Sequence, residues 1–108
     1  MARRVADVAS IARRLVAARR AKNLRAADLA RMTGVAPNAL SNWEQGIRRP
    51  SLDQVARLLP ALDVTLDFIY FGDDRGLAWD VKEAIMEAMA AGDAAEVPEP
   101  ARKTASAA

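Results

Sequence analysis

Residues 37–45, Pro-Asn-Ala-Leu-Ser-Asn-Trp-Glu-Gln, concentrate side chains suited to reading a partner rather than reacting with it. With Leu40 and Trp43 turned inward, three residues apart on one helix, Pro37, Asn38, Ser41, Asn42 and Gln45 face outward. A carboxamide donates and accepts at once, so Asn38, Asn42 and Gln45 match an adenine edge, donating to N7 and accepting from the N6 amino group. Pro37 or Ala39 is placed to touch a thymine methyl. No arginine lies on this stretch, so any base readout by it would be weighted toward A·T pairs. Covalent chemistry is poorly served by contrast. The chain has no cysteine and no histidine, which excludes disulfides, Cys/His zinc sites, thiol nucleophiles and every imidazole-based dyad or triad. Carboxylates are scattered, and there is neither a phosphate-binding glycine loop nor a metal cluster. The chain is not expected to be an enzyme, and no cofactor is implied.

Cations surround this stretch. Arg48 and Arg49 follow it, Arg25 and Arg31 precede it, and Arg3 and Arg4 form a basic N-terminal arm over 1–6. Each can reach a phosphate, and the arm can enter a minor groove. Ser51 adds a helix N-terminus that favours an anion. The net charge of +2 conceals a division: residues 1–57 carry twelve Arg or Lys against four acids, and residues 58–108 carry four against ten. One basic half and one acidic half make an electrostatic footprint for a polyanion at one end of the molecule.

The elements that must position these groups are helical. At 108 residues the chain is one domain, and 25 of its apolar residues are alanine, which suits closely packed helices. Strand-like alternation of β-branched residues is absent, and no apolar run approaches the ~18 to 20 residues of a membrane span. A cytoplasmic protein is expected. Val8, Ile11, Ala12, Leu15 and Ala18 mark a first helix over about 7–22, with Asp7 as N-cap and Asn23 as a left-handed stop. Leu29, Ala30 and Met32 mark a short second helix ending at Gly34; Pro37 opens a third, which Gly46 closes. Ser51 caps a fourth, with stripe Leu52, Val55, Leu58, Leu59 and Leu62, whose last turn Pro60 should weaken. Thr65 caps a short fifth helix over 66–71, closed by Gly72, and 77–91 restarts the helical pattern. Residues 92–108 hold a single large apolar group, Val97, and are expected to be a disordered tail.

The spacing of Leu24, Leu29, Ala30, Gly34, Val35, Leu40, Trp43 and Gly46 is that of a helix-turn-helix over 26–45: a small residue lets two helices approach, and a glycine makes the sharp turn. Here the chain resembles the lambda-repressor-like, or Xre, family of DNA-binding domains. LRAADLARMTGVAPNALSNWEQGIRRPSLDQVARLL follows the family motif position by position, and residues 66–72 look like the helix that closes its fold. The resemblance covers about 8–72. It implies a five-helix domain over 7–72 and a structural ion pair between Arg19, late in the first helix, and Glu44, two residues before the closing glycine. Two familiar features are replaced. Many relatives have Gln where this chain has Ala26, and Ser-Gln or Ser-Arg where it has Ala36-Pro37, so its operator cannot be transferred from them.

The resemblance implies a sequence-specific regulator of transcription on double-stranded DNA, with a promoter-occluding repressor as the first reading. An antitoxin that binds its own operator and a toxin is the alternative, and a protein-binding adaptor a third. One module reads one half-site, so a homodimer on a pseudo-palindromic operator is expected. Its candidate interface is Phe68, Tyr70, Phe71, Leu77, Trp79, Val81, Ile85, Met86 and Met89, rich in interface-prone types, with the core 7–72 standing without the last helix. Folding of that helix back onto its own core is the other possibility.

Overall fold

A computed structural model describes residues 7–92; the arm 1–6, with Arg3 and Arg4, and the segment 93–108 lie outside the described residues. Within them the chain forms α1 (Val8–Ala21), α2 (Ala26–Thr33), α3 (Pro37–Glu44), α4 (Leu52–Leu62), α5 (Leu66–Phe71) and α6 (Trp79–Ala91). The described residues are all-α, five helices packed together with a sixth. No helix among the described residues is long and apolar enough to cross a membrane.

Local chemistry accounts for the starts and stops. Asp7 Oδ1 accepts from the Ser10 N–H at 2.7 Å, Ser51 Oγ from Gln54 N–H at 3.2 Å and Thr65 Oγ1 from Phe68 N–H at 3.0 Å, satisfying donors that the first helical turn leaves open. Asn23 and Asp63 take left-handed backbone at φ 58° and 59° after α1 and α4. Short polar side chains tolerate that region better than most. Lys22 and Asp63 form an ion pair that links the ends of these two helices. Pro60 lies inside α4, which continues through it to Leu62. Val55, Leu58 and Leu62 are fully buried on both sides of it, whereas Ala56, whose carbonyl loses its donor, is exposed and open to water.

The core is built around α1, which packs against α3, α5 and α6, while α2 packs against α3 and α4. Ile11 and Leu15 meet Leu29, Leu40, Leu58, Leu62 and Ile69 in one cluster. Ala17 widens the apolar arc of α1 beyond the stripe that holds Ala12, and both are buried. That width decides the role of the last helix. Leu77, Val81 and Ile85 join the same cluster, as does Phe68. These four residues, expected in a dimer interface, belong instead to the protomer's own core, because α1 has more apolar surface than α3 and α5 cover.

Whether 7–72 folds without the last helix is a question of how much stability this packing supplies. Removing 77–108 uncovers α1 and should lower the melting temperature markedly. Ile85→Ala should cost ~2 to 5 kcal/mol in urea unfolding, from lost transfer energy and an unfilled cavity. A truncated chain that melts at the temperature of the full chain would show that α6 contributes nothing to the fold.

Candidate nucleic-acid interface

The corner between α2 and α3 depends on Gly34, which caps α2 in left-handed backbone at φ 77°. Space is not the constraint there, since an added Cβ would meet nothing within 4 Å; the dihedral is. Ala30, buried under this corner, lets α2 and α3 pack closely. Pro37 occupies the first turn of α3, where a missing N–H costs nothing.

Leu40 and Trp43 of α3 are buried, which turns the opposite side outward. Pro37, Asn38 and Gln45 are exposed, and Ser41 and Asn42 are half-buried beside them. Gln45 Nε2 donates to Ser41 Oγ at 2.6 Å, so these two share one hydrogen bond along the face. No side chain caps the N-terminus of α3, which leaves its first-turn N–H groups and the positive end of its dipole for a partner. After α3 the Ile47 N–H donates to the Asn42 carbonyl at 2.9 Å, folding the chain back over the helix end. Arg48 and Arg49 are thereby carried on an exposed loop next to the reading face.

One ion pair locks this face to the rest of the molecule. Arg19 Nε lies 2.7 Å from Glu44 Oε2 and Nη2 2.9 Å from Oε1, while Nη1 donates to the Leu24 carbonyl at 2.8 Å. The side chains are only 11% and 10% exposed. A planar guanidinium meeting a carboxylate through two parallel bonds fixes orientation as well as distance. It holds the last turn of α3 against α1.

Two features of the basic surface were not foreseen. Arg25 and Arg31 both bond the carboxylate of Asp28, Arg25 through Nε at 3.2 Å and Arg31 through Nη2 at 3.0 Å. Asp28 also accepts from the Arg25 backbone N–H at 3.1 Å and so caps α2 from inside. The Arg25 side chain, its backbone N–H and Arg31, in that order, pull the Asp28 carboxyl down to about 2. Arg31 is exposed and Arg25 half-buried, and the one carboxylate is shared between them. The sequence signal was available in the i, i+3 spacing of Arg25, Asp28 and Arg31. Tyr70, expected at a dimer interface, is half-buried, and its Oη donates to the Pro50 carbonyl at 2.6 Å. Burial pushes its phenol up, partly offset by Arg49 nearby. Tyr70 therefore props the loop that carries Arg48 and Arg49. A buried phenol needs an acceptor, but nothing in the sequence says which one. Ser51 is exposed at the head of α4, its hydroxyl already engaged as the N-cap.

The family model for helix-turn-helix domains matches residues 15–69, half of the chain. The chain belongs to the lambda-repressor-like, or Xre type, helix-turn-helix family. No curated protein and no solved structure shows significant similarity to it. The matched segment runs from Leu15 on α1 to Ile69 on α5 and contains the whole α2 to α3 corner. The family is one of DNA-binding regulators, and the protein is a DNA-binding transcription regulator of the Xre type acting on double-stranded DNA.

Two outcomes follow from the buried and partly buried charges of this Xre domain. Glu44→Leu alone should destabilise it by ~3 to 5 kcal/mol, because Arg19 is left buried without its carboxylate; the double variant Arg19→Met with Glu44→Leu should recover much of that loss in urea unfolding. Asp28 has a depressed folded-state pKa, so its contribution is present above about pH 4 and is lost as the pH falls toward 2. The stability difference between the natural chain and Asp28→Asn should stay constant from pH 7 to about 5 and close below pH 4. A gap unchanged at pH 2.5 would remove Asp28 from the account.

Proposed function

We propose that the protein is a repressor that occludes a promoter by binding as a homodimer to a pseudo-palindromic operator with half-sites weighted toward A·T. The observation that carries this reading is the outward face of α3, where exposed Asn38 stands beside an uncapped helix N-terminus and next to the arginine-bearing loop. In this reading Pro37, Asn38, Ser41, Asn42 and Gln45 contact bases in the major groove. Arg48 and Arg49 contact phosphate, Ser51 presents the N-terminus of α4 to the backbone, and Arg25 and Arg31 approach it while held by Asp28. Arg3 and Arg4 track the backbone or an adjacent minor groove. With four of the expected interface residues in the core, the pairing surface is reduced to Phe71, Trp79, Met86 and Met89, all exposed.

The same exposed side chains favour a second reading, an antitoxin whose α6 face takes a toxin while α3 binds the operator. Trp79 is 68% exposed and Met86 60%, more apolar surface than a solvated helix needs. Co-purification of a co-encoded toxin-like neighbour separates this from a stand-alone repressor. An adaptor that uses the fold without DNA would not need the surplus of cations in residues 1–57.

Genome-wide mapping of bound sites, with reporter expression measured from each bound promoter, tests repression: expression should rise when the gene is deleted. On the mapped operator, Arg48→Ala should weaken all duplexes about equally and reduce the salt slope of log K by ~1. Asn38→Ala should leave that slope nearly unchanged and cost ~1 to 3 kcal/mol on the best site, with far less loss on a site already mismatched in each half. Equal loss on specific and random duplexes would mean that Asn38 reads no base.

A further inference from the structure

On the side of α1 away from the reading face, a cavity of about 190 Å³ opens between α1, α5 and α6, lined by Arg14, Phe68, Leu77, Ile85, Met86 and Met89 among others. Its walls are apolar apart from three charged residues. Two of these, Asp74 and Lys82, face each other across 4.0 Å and largely cancel, and Lys82 also sits 5.8 Å over the Trp79 ring. The third is Arg14. Its Nη1 is buried and has no hydrogen-bond partner among the described residues. Burial, and to a lesser degree Arg13, lowers its pKa, while Asp7 raises it only in part.

Arg14 is thus unlike Arg19, the buried arginine of α1, while Arg20 also has an unpartnered Nε but gives Nη1 to the Gly92 carbonyl. Arg19 gives three hydrogen bonds to a carboxylate and a carbonyl, whereas Arg14 is held in place by close packing. A Cβ on Gly72 would stand 3.3 Å from Arg14 Nε, and Gly72 is left-handed at φ 76°, so the guanidinium lies directly against a stretch of backbone that carries no side chain. A buried Nη1 with no partner among the described residues is costly, and the arrangement persists only if something offsets it.

We propose that this cavity is a binding site for a compact hydrophobic monocarboxylate, its carboxylate taken by Arg14 and its apolar body packed among Phe68, Leu77, Ile85 and Met86. Size and chemistry agree. An apolar cavity of about 150 Å³ is enough to hold benzene, so one ring or a short branched chain fits beside the guanidinium. A carboxylate entering the cavity supplies Arg14 with a counter-charge in an environment drier than the protein surface, where such a pair gains strength. A larger or more polar anion would not use the walls, and a neutral ligand would not use the arginine.

Titration of the full-length chain with benzoate, benzamide and acetate, followed by amide NMR, tests this without DNA and so independently of the proposed regulatory role. Benzoate should shift amides near Arg14, Gly72 and Ile85 saturably, at least tenfold more tightly than benzamide, which lacks the charge, or acetate, which lacks the body. Arg14→Met and Arg14→Gln should each abolish the preference for benzoate over benzamide. Arg14→Met should melt at or above the temperature of the natural chain, because it removes an unpartnered charge. Benzoate and acetate binding alike, or benzoate shifting amides across the arginine-rich surface instead, would overturn the proposal. So would a lower melting temperature for Arg14→Met together with unchanged benzoate affinity, since Arg14 would then have an acceptor within the chain. Benzoate binding that weakens with rising protein concentration would assign the cavity to a second copy of the chain and equally refute it.

Discussion

The bidentate bond between Arg19 and Glu44 determines where the recognition helix lies. α3 is eight residues long, too short to hold a fixed direction by helical propensity, and its buried anchors are Leu40 and Trp43, with Ala39 packed only partly against the core. Two apolar contacts three residues apart leave rotation about the line joining them poorly restrained. A planar, buried ion pair at the end of the helix removes that freedom, because both parallel hydrogen bonds are lost together if α3 turns. The third bond of Arg19, to the Leu24 carbonyl, extends the restraint to the chain entering α2. Both halves of the helix-turn-helix are therefore referred to one side chain of α1.

α1 itself is held from several sides, and this explains how a small domain supports a rigid reading face. α3, α5 and α6 all cover it, and its alanines allow the close approach that leaves little room for shear. α6 completes the enclosure. Its inner residues belong to the core, and its outer face retains exposed apolar side chains, so one helix serves stability on one side and offers contact surface on the other. The acidic residues Asp80, Glu83 and Glu87 of this helix belong to the half of the sequence that carries excess negative charge.

The basic surface is graded rather than uniform. Arg19 is committed to structure, Arg25 and Arg31 share Asp28, and Arg48 projects from a loop held by the Tyr70 hydroxyl. A cation already paired gains less from a phosphate than an unpaired one, since the pair must be shared or broken. Net charge along the sequence therefore overstates the number of cations open to a polyanion.

Helix identity, order and caps were legible in the sequence because their causes are local. Asp7, Ser51 and Thr65 cap the helices they precede, Asn23 and Gly34 stop those they follow, and the spacing of Leu40 and Trp43 orients α3. The family motif also pointed to the pairing of Arg19 with Glu44, although the residues are 25 apart in the chain. The destination of α6 was not legible. Val81, Ile85 and Met89 describe an apolar stripe equally suited to a partner or to the domain's own core, since hydrophobic burial has no direction of its own. The answer depended on how much of α1 the other helices leave uncovered, a quantity that exists only once they are packed. The same holds for Tyr70, whose acceptor is the Pro50 carbonyl 20 residues away, and for Arg14, whose Nη1 is buried without a partner among the described residues only once the helices pack.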